Sequence, residues 1–433
     1  MQKEDRIGVN NTSKEKLNIL VVDQHYYPER FLVTDVSERL VSDGHSVTVL
    51  CGLPNYPDGV IPERYRHGKN REEWINGVHV VRAFEIGRRP GAVGLFINYL
   101  SFVLGGISRQ YAIKEEFDVV FCYETSPVVM SYPGEVFAKR TKTPLFFYCC
   151  DIWPECAKVM KADKIRPLWW FISAVSKMVY KRADLLAVQS KGFYGYFEQV
   201  HHIKAGRLAY LPQFSDSSYL DMDFAPVDDA CVDFVFMGNV GLAQDIDGLI
   251  EAAARLREEK KAFKVHVIGS GSYLGEAREL VKSKGLEEVV LFYGRKPYED
   301  MPNYYKLADV CLATLRAGSM LSVTIPQKVQ GYMAAGKPII AALSGYAREV
   351  VDEAGCGITV SPGHVEELAS AMKQFIDHKM DVKRCGENAR NYFREHFTLD
   401  RHMDMLYSLL EETINISGRR KRLADSETDR VVA

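Results

Sequence analysis

The sequence predicts an α/β fold made of two doubly wound, Rossmann-like domains that face a cleft. From Leu17 onward, short apolar runs alternate with amphipathic stretches, which is typical of parallel β/α units. The alternation stops in a polar, acidic stretch at residues 213–230 and then begins again. A chain of 433 residues is long enough for two domains with separate cores.

The apolar runs are predicted to be strands, and helices fill most of the intervals between them. Because ligands of such sheets bind at the carboxyl ends of the strands, the loops after the strands are the places to look for chemistry. The predicted strands are residues 17–23, 46–51, 78–84, 118–123, 144–150, 184–189 and 208–212, then 233–239, 264–271, 289–295, 309–315, 338–343 and 357–362. The predicted organisation is a disordered extension (1–15), an N-terminal domain (16–212), a linker (213–230), a C-terminal domain (231–385), helices that pack back toward the N-terminal domain (386–417) and a disordered tail (418–433).

The charge of the chain is divided unevenly. The net charge is −2, but residues 1–212 carry 28 Lys and Arg against 23 Asp and Glu, and the remainder carries 27 against 34. An anionic surface or acceptor is therefore expected to meet the first half, and no nucleic acid partner is expected. Nine cysteines without a CxxC or Cys/His cluster indicate reduced thiols in the cytoplasm rather than a zinc site or a disulfide framework. The polar N-terminus does not resemble a signal peptide.

The most informative segment is LSVTIPQKVQGYMAAGKPIIAA, at residues 321–342. The spacing of Thr324 and Gln327 predicts a capping box, with Pro326 tolerated in the first helical turn. Free N–H groups there would face an anionic ligand, and Lys328 adds a full positive charge. The alternative is an ordinary helix-to-strand unit with a surface lysine.

Two glycine turns follow predicted strands of the second half. Gly238 and Asn239 lie in one, and Gly269 and Gly271 in the other, where backbone N–H groups can meet a phosphate. Each turn alone is equally consistent with a tight β/α connection. The dinucleotide pattern G-x-G-x-x-G fails at Leu274, which disfavours a nicotinamide dehydrogenase.

Taken in order, these segments resemble the GT-B glycosyltransferases of family four (group 1), especially a bacterial branch that builds envelope and capsular polysaccharides. The resemblance runs from about Leu17 to about Arg394 and spans both predicted domains. Its carriers are DQHYYPERF, GHSVTVLCGLPNYPDG, NYLSFVLGG, DIWPE, GNVGLAQDIDGLIEAA, FYGRKPYEDMPNYYKLADVCLATL and SVTIPQKVQGYMAAGKPIIAA.

The resemblance implies transfer of a sugar from a nucleotide diphosphate donor to a hydroxyl acceptor, with retention at the anomeric carbon and without a metal or other cofactor. The donor, UDP- or GDP-linked, is held mainly by the C-terminal domain. Lys328 is the expected catalytic cation, because a metal-free transferase must stabilise the departing diphosphate. The family's Arg and Lys in the first loop are replaced by Asn239 and Gln244, and Gly331 stands near the second position of its glutamate pair. The other residues expected to bind the donor are Gly238, Gly269, Gly271, Gly294, Arg295, Ser322, Thr324 and Gln330.

In the first domain, Asp151 follows a strand in CCDIWPE and is the expected group that orients or deprotonates the acceptor hydroxyl. The alternative is a helix cap before Pro154. His25 is either a polar residue of the cleft or a solvated loop histidine. Turn packing would explain the two residues that follow Pro54 about as well as acceptor binding. The residues expected on the acceptor side are His25, Tyr26, Arg30, Asn55 and Tyr56.

Two stretches indicate contact with an anionic membrane surface. Nineteen uncharged residues lie between Arg89 and Arg109, and residues 158–182 combine seven Lys and Arg with a Trp-Trp-Phe cluster and one acid. A buried helix and a solvated basic helix are the respective alternatives. The expected protein is peripheral on the inner face of the plasma membrane and acts on a polyprenyl-diphosphate-linked saccharide. A GT-B-fold nucleotide-sugar epimerase and a non-catalytic saccharide-binding or assembly subunit remain open.

Overall fold

A computed structural model describes residues 16–225, 231–318, 323–378 and 380–432. The extension predicted at 1–15, residues 226–230 of the predicted linker and Ser322 lie outside the described residues. Two compact units are present. The first contains the chain up to Leu186 together with the segment from Leu410 onward, and the second runs from Ala187 to Leu409.

The strands of the first half form one eight-stranded sheet. Its order is β3-β4-β2-β1-β5-β6-β7-β8, and β1 pairs in parallel with both β2 and β5. Buried Val, Ile, Leu and Phe side chains fill the central strands, as expected for a sheet covered on both faces. The strands are β1 (Asn18–Val22), β2 (Ser46–Cys51), β3 (Glu72–Ile75), β4 (Val78–Arg82), β5 (Val119–Glu124), β6 (Leu145–Cys149), β7 (Leu185–Val188) and β8 (Leu208–Tyr210).

The strands of the second half form a six-stranded parallel sheet of order β11-β10-β9-β12-β13-β14. In chain order this is 3-2-1-4-5-6, so the topological switch point lies between β9 and β12, where such sheets bind ligands. The strands are β9 (Val232–Met237), β10 (Phe263–Ile268), β11 (Val290–Gly294), β12 (Val310–Thr314), β13 (Ile339–Ala342) and β14 (Gly357–Val360).

Helices connect most successive strands in both halves, and they contribute buried apolar side chains to the core. In the second unit, apolar side chains form two clusters. The helices are α1 (Leu32–Ser42), α2 (Gly91–Arg109), α3 (Tyr132–Thr141), α4 (Arg166–Arg182), α5 (Tyr194–Tyr196), α6 (Ile246–Glu258), α7 (Leu274–Ser283), α8 (Met301–Leu307), α9 (Gln327–Ala334), α10 (Gly345–Ala354), α11 (Val365–Ile376), α12 (Val382–His396) and α13 (Leu399–Val432).

Every predicted strand overlaps an observed one, and the predicted α/β class is confirmed. The sequence analysis missed β3, which pairs antiparallel with β4 at the edge of the first sheet. Asn76 and Gly77 join the two strands, both with positive φ, and this pair is the usual sign of a two-residue hairpin turn. The short, polar run Glu72–Ile75 hid the strand because edge strands need little apolar character.

Two other expectations differ from the structure. The start of the helix differs from the predicted capping box, because Pro326 and not Thr324 is the N-cap residue of α9, which begins at Gln327. The tail predicted to be disordered from residue 418 is helical, since α13 continues to Val432. After Gly418 that segment contains neither glycine nor proline and is rich in good helix formers.

Candidate active site

Three neighbouring strands of the second sheet have glycine at their carboxyl ends, and the backbones of these glycines touch the adjacent strand. The N–H of Gly238 donates to the carbonyl of Ile268 at 2.9 Å, and the N–H of Gly269 donates to the carbonyl of Gly294 at 2.9 Å. Gly269 has a φ of +147°, and a Cβ placed on it would lie 1.7 Å from the Gly238 oxygen. Only glycine fits that position, so the strand ends form an edge of bare backbone that we call the glycine edge (Gly238, Gly269, Gly294).

Lys328, in the first turn of α9, reaches this edge. Its Nζ would be 2.9 Å from a Cβ on Gly238 and lies 3.6 Å from the centroid of the Phe236 ring. This Nζ is buried, and within the described residues no group hydrogen-bonds to it. Burial lowers the pKa of Lys328 to about 7. A cation held in this way needs an anion beside it to keep its proton.

The loop after β9 lies against the same edge. Oε1 of Gln244 accepts from the N–H of Gly241 at 3.2 Å and from Nδ2 of Asn239 at 3.4 Å. A Cβ on Gly271 would lie 2.3 Å from the Val240 carbonyl, so the second glycine turn packs on the first. The structure therefore brings the two predicted glycine turns together with Lys328.

The sequence analysis overlooked Arg316, which follows β12 at the switch point. Its N–H donates to the Ala243 carbonyl at 2.9 Å, and its side chain pairs with Asp247 at 2.6 Å. An arginine directly after a buried strand was the available signal. Its charge is partly neutralised by the acid, whereas Lys328 has no acidic partner among the described residues.

The remaining predicted donor residues are more dispersed. Arg295 is exposed after β11, and Thr324 is half-buried before α9. Gln330 is buried, and its Nε2 donates to the Gln213 carbonyl at 2.7 Å. A Cβ on Gly331 would lie 2.7 Å from the Tyr305 hydroxyl. Tyr305 therefore occupies the space that a glutamate at this position would need.

In the first unit, carboxyl groups gather where parallel strands end. Asp23 follows β1, Glu124 ends β5 and Asp151 follows β6. Burial raises the pKa of Asp151 to about 6, and it raises the pKa of Asp23 and of Glu124 well above the usual range, with the nearby Asp151 charge adding to the shift of Glu124. The predicted alternative for Asp151 is wrong, because the short helix after Pro154 has no side-chain cap.

A second acidic group organises the loop after β1. Nδ1 of His25 lies 2.8 Å from Oε2 of Glu29, whose Oε1 accepts from the backbone N–H groups of Asn55 and Tyr56. The His25 ring stacks on Phe31 with centroids 4.6 Å apart. His25 is therefore a buried, partnered side chain, and the expectation of a solvated loop histidine is wrong.

The five residues predicted on the acceptor side do not all share this place. His25, Asn55 and Tyr56 are brought together, whereas Tyr26 is only 1% exposed and points into the core. Arg30 is exposed on the same loop. The sequence analysis did not single out Glu29, which lies four residues after His25 inside a quoted motif.

Glu85 is a second overlooked acid, and it follows β4. Its Oε1 accepts from Nε2 of Gln24 at 2.7 Å, Nδ2 of Asn55 at 2.9 Å and Nδ2 of Asn98 at 2.5 Å. Burial raises the pKa of Glu85 to about 8. A lone glutamate after a buried strand was the only signal in the sequence.

The fold and the site define a protein of two doubly wound α/β sheets, with the buried Nζ of a lysine beside the glycine edge of the second sheet. Two family models match it, "Glycosyl transferase 4-like domain" over residues 32–213 and "Glycosyl transferases group 1" over residues 227–392. Together they cover well over half of the chain. The chain therefore belongs to the group 1 glycosyltransferases, which have the GT-B fold.

Similar proteins agree with this assignment. A putative colanic acid biosynthesis glycosyl transferase, WcaI of Escherichia coli K12, is 22% identical over 83% of this chain and 92% of its own. The probable glycosyltransferase WbjE of Pseudomonas aeruginosa is 29% identical, but the match spans 42% of this chain and 45% of WbjE.

Solved structures show the same fold. Sucrose-phosphate synthase from Thermosynechococcus elongatus has a TM-score of 0.67 at 18% identity, covering 96% of this chain and 100% of its own. HepE of Anabaena in complex with UDP has a TM-score of 0.63 at 16% identity, and the match covers 95% of this chain and 100% of the HepE chain. At these identities the likeness establishes the fold alone.

Proposed function

We propose that this glycosyltransferase moves a sugar from a nucleotide diphosphate donor to a saccharide carried on a polyprenyl diphosphate, in the biosynthesis of a bacterial surface polysaccharide. The observation that carries the proposal is the Nζ of Lys328, which is buried beside the glycine edge and finds no hydrogen-bond partner among the residues that the structure describes. A diphosphate supplies the negative charge that this Nζ lacks. The relative named for colanic acid biosynthesis and the fold relative solved with UDP support the pathway and the donor class.

The proposed reaction proceeds with retention and without a metal. The acceptor oxygen attacks the anomeric carbon on the face from which the diphosphate leaves, while Lys328, Arg295 and the Gly238 turn stabilise the leaving group. The missing side chains of the glycine edge let the diphosphate approach the backbone closely. Asp151 in the first unit orients the acceptor hydroxyl or takes its proton. The enzyme works in the cytoplasm on the inner face of the plasma membrane, where a polyprenyl-linked acceptor is carried.

The first test is a thermal-shift panel with UDP, GDP, ADP and NAD in excess. A nucleotide at about 100 times its Kd adds roughly 2.7 kcal/mol to the free energy of unfolding. Stabilisation by UDP or GDP alone supports the proposal and names the donor base. Stabilisation by none contradicts it and favours a non-catalytic saccharide-binding or assembly subunit. Conversion of the donor without an acceptor, releasing an altered sugar nucleotide, would instead identify an epimerase.

The second test compares two buried lysines of the same unit. Lys328→Met is expected to weaken nucleotide binding by about 1.5–3 kcal/mol, roughly 10- to 100-fold, because a charge-assisted hydrogen bond to phosphate is lost. Lys337→Met is the matched control, since Nζ of Lys337 already donates to the carbonyls of Phe224 and Ala308. We expect Lys337→Met to lower the melting temperature and leave the nucleotide Kd unchanged.

The lowered pKa of Lys328 predicts that nucleotide binding depends on pH. The unliganded pKa of Lys328 is about 7, and a bound diphosphate raises it, so binding takes up a proton above pH 7. The nucleotide Kd is expected to rise between pH 7 and 9, by at most about tenfold per pH unit. Isothermal titration in buffers of different ionisation enthalpy measures the proton uptake. Equal pH dependence in wild type and Lys328→Met would remove Lys328 from the donor site.

A further inference from the structure

Helix α2 carries the polar Asn98 on its buried side and exposes a row of apolar side chains to solvent. Asn98 is buried beside Phe102, and Ser101 faces inward and donates to the Asn98 carbonyl. Across its length, a stripe with helical spacing faces solvent. This stripe consists of Val93, Phe96, Ile97, Leu100, Leu104 and, just beyond the helix, Tyr111.

Hydrogen bonds through Asn98 hold α2 in this orientation. Its Nδ2 donates to Glu85 at 2.5 Å and to the Ile86 carbonyl at 2.8 Å, and its Oδ1 accepts from Gln24 at 3.0 Å. Turning the helix to bury the apolar stripe would break these three bonds inside the core. The exposed stripe is therefore a stable feature of the fold.

Helix α4 likewise exposes large apolar side chains, although it buries Val179 and Tyr180. Ser176 is buried, and its hydroxyl donates to the Ile172 carbonyl. Both α2 and α4 pack against the turn Val128–Ser131, which precedes α3, so they flank one segment of the first unit. The large apolar side chains that α4 and its cap expose are Ile165, Leu168, Trp170, Phe171 and Met178.

Basic side chains border the two apolar stripes. Lys161, Lys164 and Arg166 are exposed before and at the start of α4, where Asp163 is the one acid between residues 158 and 182. The guanidinium of Arg140 lies 4.9 Å over the ring of Tyr111 at the end of α2.

At the other end of α2, a cavity of about 390 Å³ is lined by Arg88 and Arg89 together with Asp58. Apolar stripes with a mainly basic border match the acyl chains and phosphates of an anionic bilayer.

We propose that the α2–α4 face, defined by the exposed apolar side chains of these two helices, lies in the interfacial layer of an anionic membrane. The proposal deepens the proposed function and rests on it, because the polyprenyl chain of the acceptor would share that bilayer. Both helices lie along the surface with their apolar stripes in the acyl region. Arginine and lysine side chains reach back to the phosphates.

The contacts of α2 favour a helix that lies in the membrane surface over a helix that crosses the bilayer. The segment Gly91–Ala112 is long and apolar enough to span a bilayer by length and composition. Its 18-residue apolar window has a mean hydropathy of 1.6, and 17% of that window is buried in the protein. Spanning would pull Asn98 out of its bonds with Glu85 and Gln24. Lying flat keeps those bonds and covers the stripe.

The experiment is co-flotation of the full-length protein with vesicles of phosphatidylcholine alone or mixed with phosphatidylglycerol. Trp170→Ser and Phe96→Ser are each expected to reduce binding to the mixed vesicles by about tenfold or more, because each removes one inserted aromatic ring. Trp74→Ser is the matched control. Trp74 and Trp170 are both 73% exposed in the first unit, but Trp74 lies on the edge strand β3. We expect binding of the control to be unchanged.

Three results would overturn the proposal. The first is that the wild-type protein does not bind the mixed vesicles. The second is an equal loss of vesicle binding in Trp74→Ser and Trp170→Ser. The third is a dimer in light scattering, without lipid, that Trp170→Ser dissociates, since a second copy would then cover the face. Binding that weakens with added salt supports the basic border.

The nucleotide thermal shift separates this proposal from the proposed function. If vesicle binding fails and UDP or GDP still stabilises the protein, only the membrane face is wrong. If vesicle binding follows the expected pattern and no nucleotide binds, the membrane face stands and the donor chemistry is wrong. Trp170→Ser must retain the wild-type nucleotide shift for either result to count.

Discussion

At the scale of residues, buried lysines differ in whether the fold already supplies them with a hydrogen-bond acceptor. Lys328 and Lys337 lie nine positions apart, and burial lowers the pKa of both. Lys337 donates to two backbone carbonyls and holds the fold together. Nζ of Lys328 lies beside the Phe236 ring and the glycine edge and has no hydrogen-bond partner in the part of the chain that the structure describes. The same residue type therefore serves structure at Lys337, whereas we propose that it serves ligand binding at Lys328.

Asp151 predicts a pH dependence of catalysis. Burial raises its pKa from the ordinary 3.8 to about 6, so kcat/KM is expected to fall as the pH drops through 6 and the carboxylate takes up a proton. Asp151→Asn should remove this acid limb and lower kcat by about 10²- to 10⁴-fold. A pH–rate profile of transfer checks both effects, with the exposed Asp163→Asn as control. An unchanged profile in Asp151→Asn would exclude the role in acceptor activation.

The stability of Asp151→Asn provides an independent check. A carboxyl group whose pKa is raised in the folded state binds more protons there than in the unfolded chain, so the wild type loses stability as the pH rises from about 4 to 6. Asp151→Asn has no carboxyl group at this position, so this loss of stability with rising pH is absent from the variant. Above pH 6 its melting temperature should match or exceed that of the wild type, which separates a catalytic defect from misfolding.

At the scale of elements, the glycine edge shows how strand ends make a ligand surface. Gly269→Ala is expected to destabilise the second unit by several kcal/mol, since its Cβ would lie 1.7 Å from the Gly238 oxygen and its φ is positive. Gly275→Ala in α7 is the control. It meets nothing within 4 Å and should stabilise the helix by about 1 kcal/mol. Denaturant unfolding measures both, and equal effects would show that the edge tolerates side chains.

At the scale of the molecule, α13 belongs to both compact units, which divide at Leu410. Leu410 is fully buried, so Leu410→Ala should cost about 2–5 kcal/mol through the cavity it leaves in the first unit. Leu104→Ala, at 60% exposure, should change stability by less than about 0.5 kcal/mol. Calorimetry is expected to show the nucleotide still stabilising Leu410→Ala. A loss of nucleotide binding in that variant would contradict the division.

Much of the fold was predictable because short strands and helices carry their signal locally. The apolar runs located the strands, and the motif around Lys328 indicated a candidate anion site at the start of α9. Predictions failed where the decisive contact was distant or weakly patterned. Nothing near Glu85 in the sequence indicates that Gln24, Asn55 and Asn98 converge on it. The edge strand β3 carries too little apolar character to stand out.

The sequence by itself determined the alternation of strands and helices, the glycines at the carboxyl ends of β9, β10 and β11, and the lysine in the first turn of α9. These features depend on residues close together in the chain, through periodicity and backbone conformation. Only the tertiary structure decided that Lys328 would meet Gly238, ninety positions earlier, with no acidic partner in the described ranges, and that α2 would turn Asn98 inward and Leu100 and Leu104 outward. Burial and pairing are properties of distant contacts, and those form only when the sheets assemble.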